Sequence, residues 1–188
     1  MRRNSLGPGR VSTAESAPAL TVVVDRVAFG IRLEPLMEPL LKYFARRVLP
    51  RDDAYDCLSE TLTVLWTKRR AAPADDTELR AWSFGIAKNV LRNHERAARR
   101  RTRLAEKTRE SAENATAVND ERASLAVTAL ASLTPRDREL VTLIVWDGLG
   151  VAEAGAVLGL SAPTARTRYS RARAVLRRAL DLPVSQEG

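Results

Sequence analysis

The amino-acid sequence predicts an all-α protein made of two small helical domains joined by a flexible linker. Three observations point there. Apolar residues recur every three or four positions in several separate runs, the period of an amphipathic helix. No segment alternates apolar and polar residues between turn signals, as a half-buried strand would. Between Arg96 and Arg122 large apolar residues dwindle to Leu104 and Val118, so a polar stretch separates two regions able to build cores.

Residues 1–30 are expected to form a flexible tail, most plainly residues 1–18, which are rich in Gly, Pro, Ser and Arg. Helical periodicity begins near Leu33 and continues through Leu36, Leu40, Phe44 and Val48 until Pro50-Arg51-Asp52-Asp53 breaks it. A second helix follows, with Ala54, Leu58, Leu62, Leu65 and Trp66 as its apolar face. Residues 69–76 contain Pro73 and no periodic pattern, which predicts a loop. Asp75 with Glu78 fits a capping box that opens a third helix, aligned on Leu79, Trp82, Ile86 and Val90. The first domain is therefore placed at 31–104, the linker at 105–124, the second domain at 125–182 and a short tail at 183–188.

In the second domain, Thr134-Pro135-Arg136-Asp137 is a strong helix start, with Thr as N-cap and Pro at the first helical position. Leu140, Leu143 and Ile144 form its buried stripe, and Asp147-Gly148 ends it. Residues 151–173 then have helix-turn-helix spacing. Gly155 lies where two helices must approach closely, Gly159 permits the turn, and Ser161 can cap the second helix.

Charge narrows the function. The 188 residues carry 31 Lys and Arg against 23 Asp and Glu, a net +8. Six arginines and no acid lie between Ala154 and Leu180, and six more face one acid, Glu95, between Arg92 and Arg103. Two acid-poor blocks in one short chain favour a polyanionic partner. A single cysteine, Cys57, excludes an internal disulfide, and with a single histidine, His94, it leaves almost nothing for a zinc site. A hydrolase built on Cys57 or His94 lacks a paired base and orienter. No run is long enough to span a membrane, so no membrane insertion and a cytoplasmic location are expected, with no cofactor.

A second helix of a helix-turn-helix presents its N-terminal half to the major groove. Arg166, Thr167, Ser170 and Arg171 point outward there, and Arg168 and Arg173 are placed to pair with phosphates. In the first domain, the stretch from Arg80 to Asn89 mixes Trp82 and Phe84 with Arg80, Lys88 and Asn89. Aromatic faces of that kind either pack in a core or stack on unpaired bases. Asp53, Asp56 and Glu60 share a face opposite the apolar stripe of the second helix, which is either simply solvated or docks a basic protein surface.

The run Asp53-Ala54-Tyr55-Asp56-Cys57-Leu58-Ser59-Glu60-Thr61-Leu62, the Arg80–Asn89 stretch and the helix-turn-helix, in that order, resemble an ECF-type (group 4) sigma factor of the sigma-70 family. The resemblance covers about residues 33–180. It implies a region 2-like bundle that binds the β′ clamp helices of core RNA polymerase and opens the −10 promoter element. It implies also a region 4-like domain that binds the −35 element and the β flap. Carried over by position, Asp53, Asp56, Ser59 and Glu60 fall in the polymerase-binding helix. Arg70, Asp76, Arg80, Trp82, Phe84, Lys88, Asn89 and Arg92 fall at the −10 DNA, with the loop from Arg70 to Glu78 where the non-template strand is captured. Arg166, Thr167, Arg168, Ser170, Arg171 and Arg173 fall at the −35 DNA. Ser59 stands where the family usually has Gln, Ser83 where it has an apolar residue, and Gly150 and Ala154 where it has Ser and Ile. An anti-sigma factor is a further expected partner. Two other readings are a stand-alone helix-turn-helix regulator and a sigma-like interaction protein that does not initiate transcription.

Overall fold

A computed structural model describes residues 17–106 and 121–181. Seven α-helices carry most of them: α1 (Ala17–Ala45), α2 (Asp53–Thr67), α3 (Asp76–Glu106), α4 (Glu121–Ala131), α5 (Pro135–Val145), α6 (Val151–Val157) and α7 (Ala162–Asp181). A 3-10 turn, Arg69–Ala71, lies between α2 and α3, and no strand occurs among the described residues. The all-helical fold expected from periodicity is the fold observed.

The chain divides into two units after Pro35. The unit up to Pro35 contains the first stretch of α1, where Phe29 and Leu33 are buried while Val27 and Ile31 are exposed. Helix α1 thus starts at Ala17, well before the expected start near Leu33, and residues 17–30 are not tail. Ala105 and Glu106, expected in the linker, belong to α3, and residues 121–124 belong to α4. The expectations for residues 1–16, 107–120 and 182–188 fall outside the described residues.

From Leu36 onward the core is built where the apolar stripes meet. The end of α1 contributes Leu40, Tyr43 and Phe44, the turn after it Val48, and α3 Leu79, Phe84 and Ala87, all buried. The Tyr43 ring meets Phe44 and Phe84 edge to face, at centroid distances of 5.3 and 5.6 Å. Such pairs add to the area they bury because the positive ring edge meets the negative face. The inner stripe of α2 is Ala54, Cys57, Leu58, Thr61 and Leu65. Thr61 fits because its hydroxyl donates to the Cys57 carbonyl at 2.8 Å. Trp66, expected on this stripe, is 37% exposed, one position past the row that Cys57, Thr61 and Leu65 define.

Helix α5 starts as expected: the Thr134 side chain accepts from the Asp137 N–H, and Pro135 takes the first helical position. Leu133, Val141 and Ala172 form a cluster joined by Leu130, Tyr169 and Leu176, so α7 closes over α4 and α5. Helices α6 and α7 meet at Gly155, where an added Cβ would lie 2.6 Å from the Ala165 Cβ. Gly155→Ala is therefore expected to lower stability by about 1–3 kcal/mol through overpacking, outweighing the better helix propensity of alanine. Urea unfolding of the two proteins measures this. Gly159 has φ 65, the left-handed conformation the turn between the two helices needs.

Candidate nucleic-acid interface

The helix-turn-helix is formed by α6 and α7. Glu153 accepts a hydrogen bond from the Gly150 N–H at the start of α6, so this helix start is held without the usual Ser. Ser161 caps α7, its Oγ accepting from the Thr164 N–H at 3.4 Å. Arg136 on α5 donates to the Leu158 carbonyl at 2.9 Å, fixing the end of α6. On this frame Arg166, Thr167, Ser170, Arg171 and Arg173 are exposed along α7. Arg173 also lies over the Tyr169 ring at 5.9 Å. Arg168 differs, because its Nη1 donates to Asp137 Oδ1 at 2.8 Å and ties α7 to α5. The Thr134 hydroxyl and, after it, Arg168 hold the Asp137 carboxyl below the usual carboxylate range.

On α2, Asp56, Ser59 and Glu60 are exposed together. Asp53 shares their side of the helix but is half-buried, its Oδ2 2.9 Å from His94 Nε2 on α3. The acidic face is therefore pinned to α3 at one end and open along the rest.

The start of α3 has the expected cap, Asp75 Oδ1 accepting from the Glu78 N–H at 2.9 Å. Arg70, in the 3-10 turn, and Asp76, at the first position of α3, are exposed. Asn89 and Arg92 are exposed and bonded to each other, Arg92 Nη2 donating to Asn89 Oδ1 at 3.1 Å. Trp82 is half-buried and lines a groove with Lys88, Asn89, Arg92, Ala156, Val157 and Gly159. Phe84 corrects the sequence reading. It is wholly buried against Tyr43, so its face is packed in the core and is not open to a base. Lys88 donates to the Val157 carbonyl at 3.4 Å, and burial pushes its ammonium below the usual lysine range.

Sequence reasoning missed Asp147, which it took as a helix stop. Its carboxylate is completely buried and receives Arg46 on Oδ1 and Arg47 Nη2 on Oδ2, the latter at 2.8 Å. Arg80 donates to the Asp147 carbonyl at 3.1 Å. Arg80 is thus turned toward the α5–α6 connection. A buried acid needs cations, and the adjacent Arg46-Arg47 pair was the available signal.

Burial pushes the Cys57 thiol up to about 11, so it is not a thiolate nucleophile at neutral pH. Among the described residues no three His, Cys, Asp or Glu side chains gather as a metal site, and no helix is long and apolar enough to cross a membrane.

Residues 36–101 match the family described as "Sigma-70 region 2", and residues 125–176 match "Sigma-70, region 4". The chain is 28% identical to the ECF RNA polymerase sigma factor BldN of Streptomyces coelicolor, over 81% of this chain and 60% of that protein. It therefore spans less than two thirds of that relative's length. Among solved structures it is similar to the sigma factor RpoE of Bartonella quintana, in complex with the anti-sigma factor NepR. That match has TM-score 0.58 and 25% identity, covering 82% of this chain and 98% of the other. It is similar also to CnrH in complex with the cytosolic domain of CnrY, with TM-score 0.56 and 28% identity, covering 87% and 94%. With region 2 on α1 to α3 and region 4 on α4 to α7, in that order, the chain belongs to the sigma-70 family of sigma factors, in its ECF group.

Proposed function

We propose that the chain directs bacterial RNA polymerase to specific promoters and assists their opening, acting by binding and not by catalysis, in the cytoplasm. One observation carries the reading: a single chain joins an exposed acidic face on α2 to an exposed arginine-rich face on a helix-turn-helix. Asp56, Ser59 and Glu60, with Asp53 positioned by His94, are the proposed contacts to the β′ clamp helices. Arg166, Thr167, Ser170 and Arg171 are the proposed readers of the −35 element, with the β flap as a further contact of the same domain. Arginine can bond a guanine edge through two N–H groups, which gives sequence preference, whereas phosphate contacts by Arg173 are indifferent to sequence.

Strand opening requires a binder that prefers separated strands, because taking a base out of the stack costs a few kcal/mol. The exposed loop from Arg70 to Glu78, with Asn89 and Arg92 at its side, is the proposed −10 site, and Trp82 is its remaining aromatic. An anti-sigma factor is a further proposed partner, since the RpoE relative is held by one.

Replacing Arg166 or Arg171 by Ala is expected to cost about 1–3 kcal/mol and to relax −35 preference, while Arg173→Ala weakens all sequences alike. Equal loss on matched and scrambled −35 DNA for the first two would remove them as readers. The function as a whole is tested by promoter retention with and without core polymerase. Retention that requires core enzyme supports the sigma reading. Tight sequence-specific retention by the chain alone favours a stand-alone regulator, which would leave the α2 face without a use.

A further inference from the structure

Asp147 sits at the junction of the two family regions, and its surroundings are unlike those of any other acid among the described residues. Its side chain is wholly removed from solvent, while of the residues just past α1 Arg46 bonds its Oδ1 and Arg47 bonds both its oxygens. Arg47 is itself 12% exposed and lies 4.0 Å over the Tyr43 ring, donating to the Tyr43 carbonyl at 3.1 Å. Contacts within its own segment thus help to hold Arg47 where it meets Asp147. Arg80 holds the backbone of the same residue, and Gly148, with φ 67, turns the chain directly after it. Further along α3, Lys88 bonds the carbonyl of Val157 at the end of α6.

We propose that Asp147 is the keystone of an electrostatic latch that closes region 4 onto region 2 and takes Arg80 and Lys88 of the −10 face out of use until the chain opens. The proposal rests on the sigma reading for its consequence but not for its geometry. Packed helices have axes about 8–10 Å apart, so α7, packed on α6, which packs on α3, lies within about 20 Å of α3. Elements centred at −10 and −35 lie about 25 base pairs apart, or about 85 Å along B-DNA. The latched chain cannot address both. Opening exposes Asp147 and its three arginines to water, which solvates each of them, so the latch is reversible. Removing the acid alone would leave the packed Arg47 guanidinium with only Glu139, 3.8 Å away, and would free Arg46, whose side chain is already partly exposed, which makes opening the cheaper response.

The test is single-molecule energy transfer on the full chain, without DNA or polymerase, with dyes at T67C on α2 and R178C on α7. Both positions are exposed, and Cys57 is buried and stays unlabelled. The unsubstituted chain is expected mainly in the high-transfer state. Asp147→Asn is expected to lower the closed-to-open ratio at least about tenfold at unchanged helical circular dichroism, since breaking a buried pair exceeds that in most proteins. If Asp147→Asn fails to fold, Arg46→Gln with Arg47→Gln decides from the other side of the latch. Combining Asp147→Lys with Arg46→Glu and Arg47→Glu should restore closure. A ratio within twofold of the starting chain in a folded Asp147→Asn or arginine variant overturns the latch. A chain that opens as expected yet never supports transcription would leave the latch standing and remove the sigma reading.

Discussion

Phe84→Ala is expected to destabilise the first domain by about 3–5 kcal/mol, the cost of emptying a fully buried aromatic site. The loss combines burial with the edge-to-face contact to Tyr43. A domain of this kind has about 5–15 kcal/mol in total, so a large share of its margin goes with one ring. Phe84→Leu, which keeps much of the volume, should cost less than half as much. Urea unfolding followed by circular dichroism measures both. A Phe84→Ala protein as stable as the original, with weakened −10 binding alone, would put the ring at the DNA instead of in the core.

Charge reversal at two exposed positions, Asp56→Arg with Glu60→Arg, is expected to abolish binding to core polymerase. Like charges brought together at an interface cost several kcal/mol, so the loss should exceed about 100-fold in affinity. Both side chains are exposed, and neither lies on the inner stripe of α2, so the helical signal should be unchanged. Co-elution with core enzyme at the original level would mean that the α2 face is merely solvated.

Much of this architecture was legible in the sequence because burial and periodicity coincide in it. Helix α5 is the plainest case: a threonine cap, a proline at the first turn and leucines at helical spacing all name the same element. The start of α1 was not legible, and the reason is physical. Val27 and Ile31 are 58% and 63% exposed, so this part of the helix does not announce itself by a buried stripe. Phe84 shows a second limit. A helical aromatic beside basic residues has the same pattern whether it faces a base or a core, and the packing of Tyr43 against it decides. Asp147 shows a third, since its cations come from residues 101 and 100 positions earlier and nothing local marks it. Arg168 is similar: α7 predicts an outward guanidinium, and Asp137 on α5 captures it.

The departures from the family pattern fall at positions that structure explains in part. Gly150 replaces a capping side chain, and Glu153 supplies the bond to its N–H instead. Ala154 is fully buried, so a larger residue there would have to be accommodated in the core. Ser83 is buried with its hydroxyl unpaired, which nothing in its surroundings explains. Ser59 is exposed on the proposed polymerase face, where a shorter side chain changes reach without disturbing α2.

The most direct test of the central claim is run-off transcription by core RNA polymerase on a promoter selected with this chain, paired with permanganate probing of thymines around the −10 element. The account predicts transcripts and reactive thymines only when the chain is added. It predicts also that Asn89→Ala keeps polymerase binding while reducing thymine reactivity, and that exchange of the loop from Arg70 to Glu78 changes which −10 sequence is opened. Polymerase that binds the chain yet produces no transcript and opens no thymine on any selected promoter would contradict it.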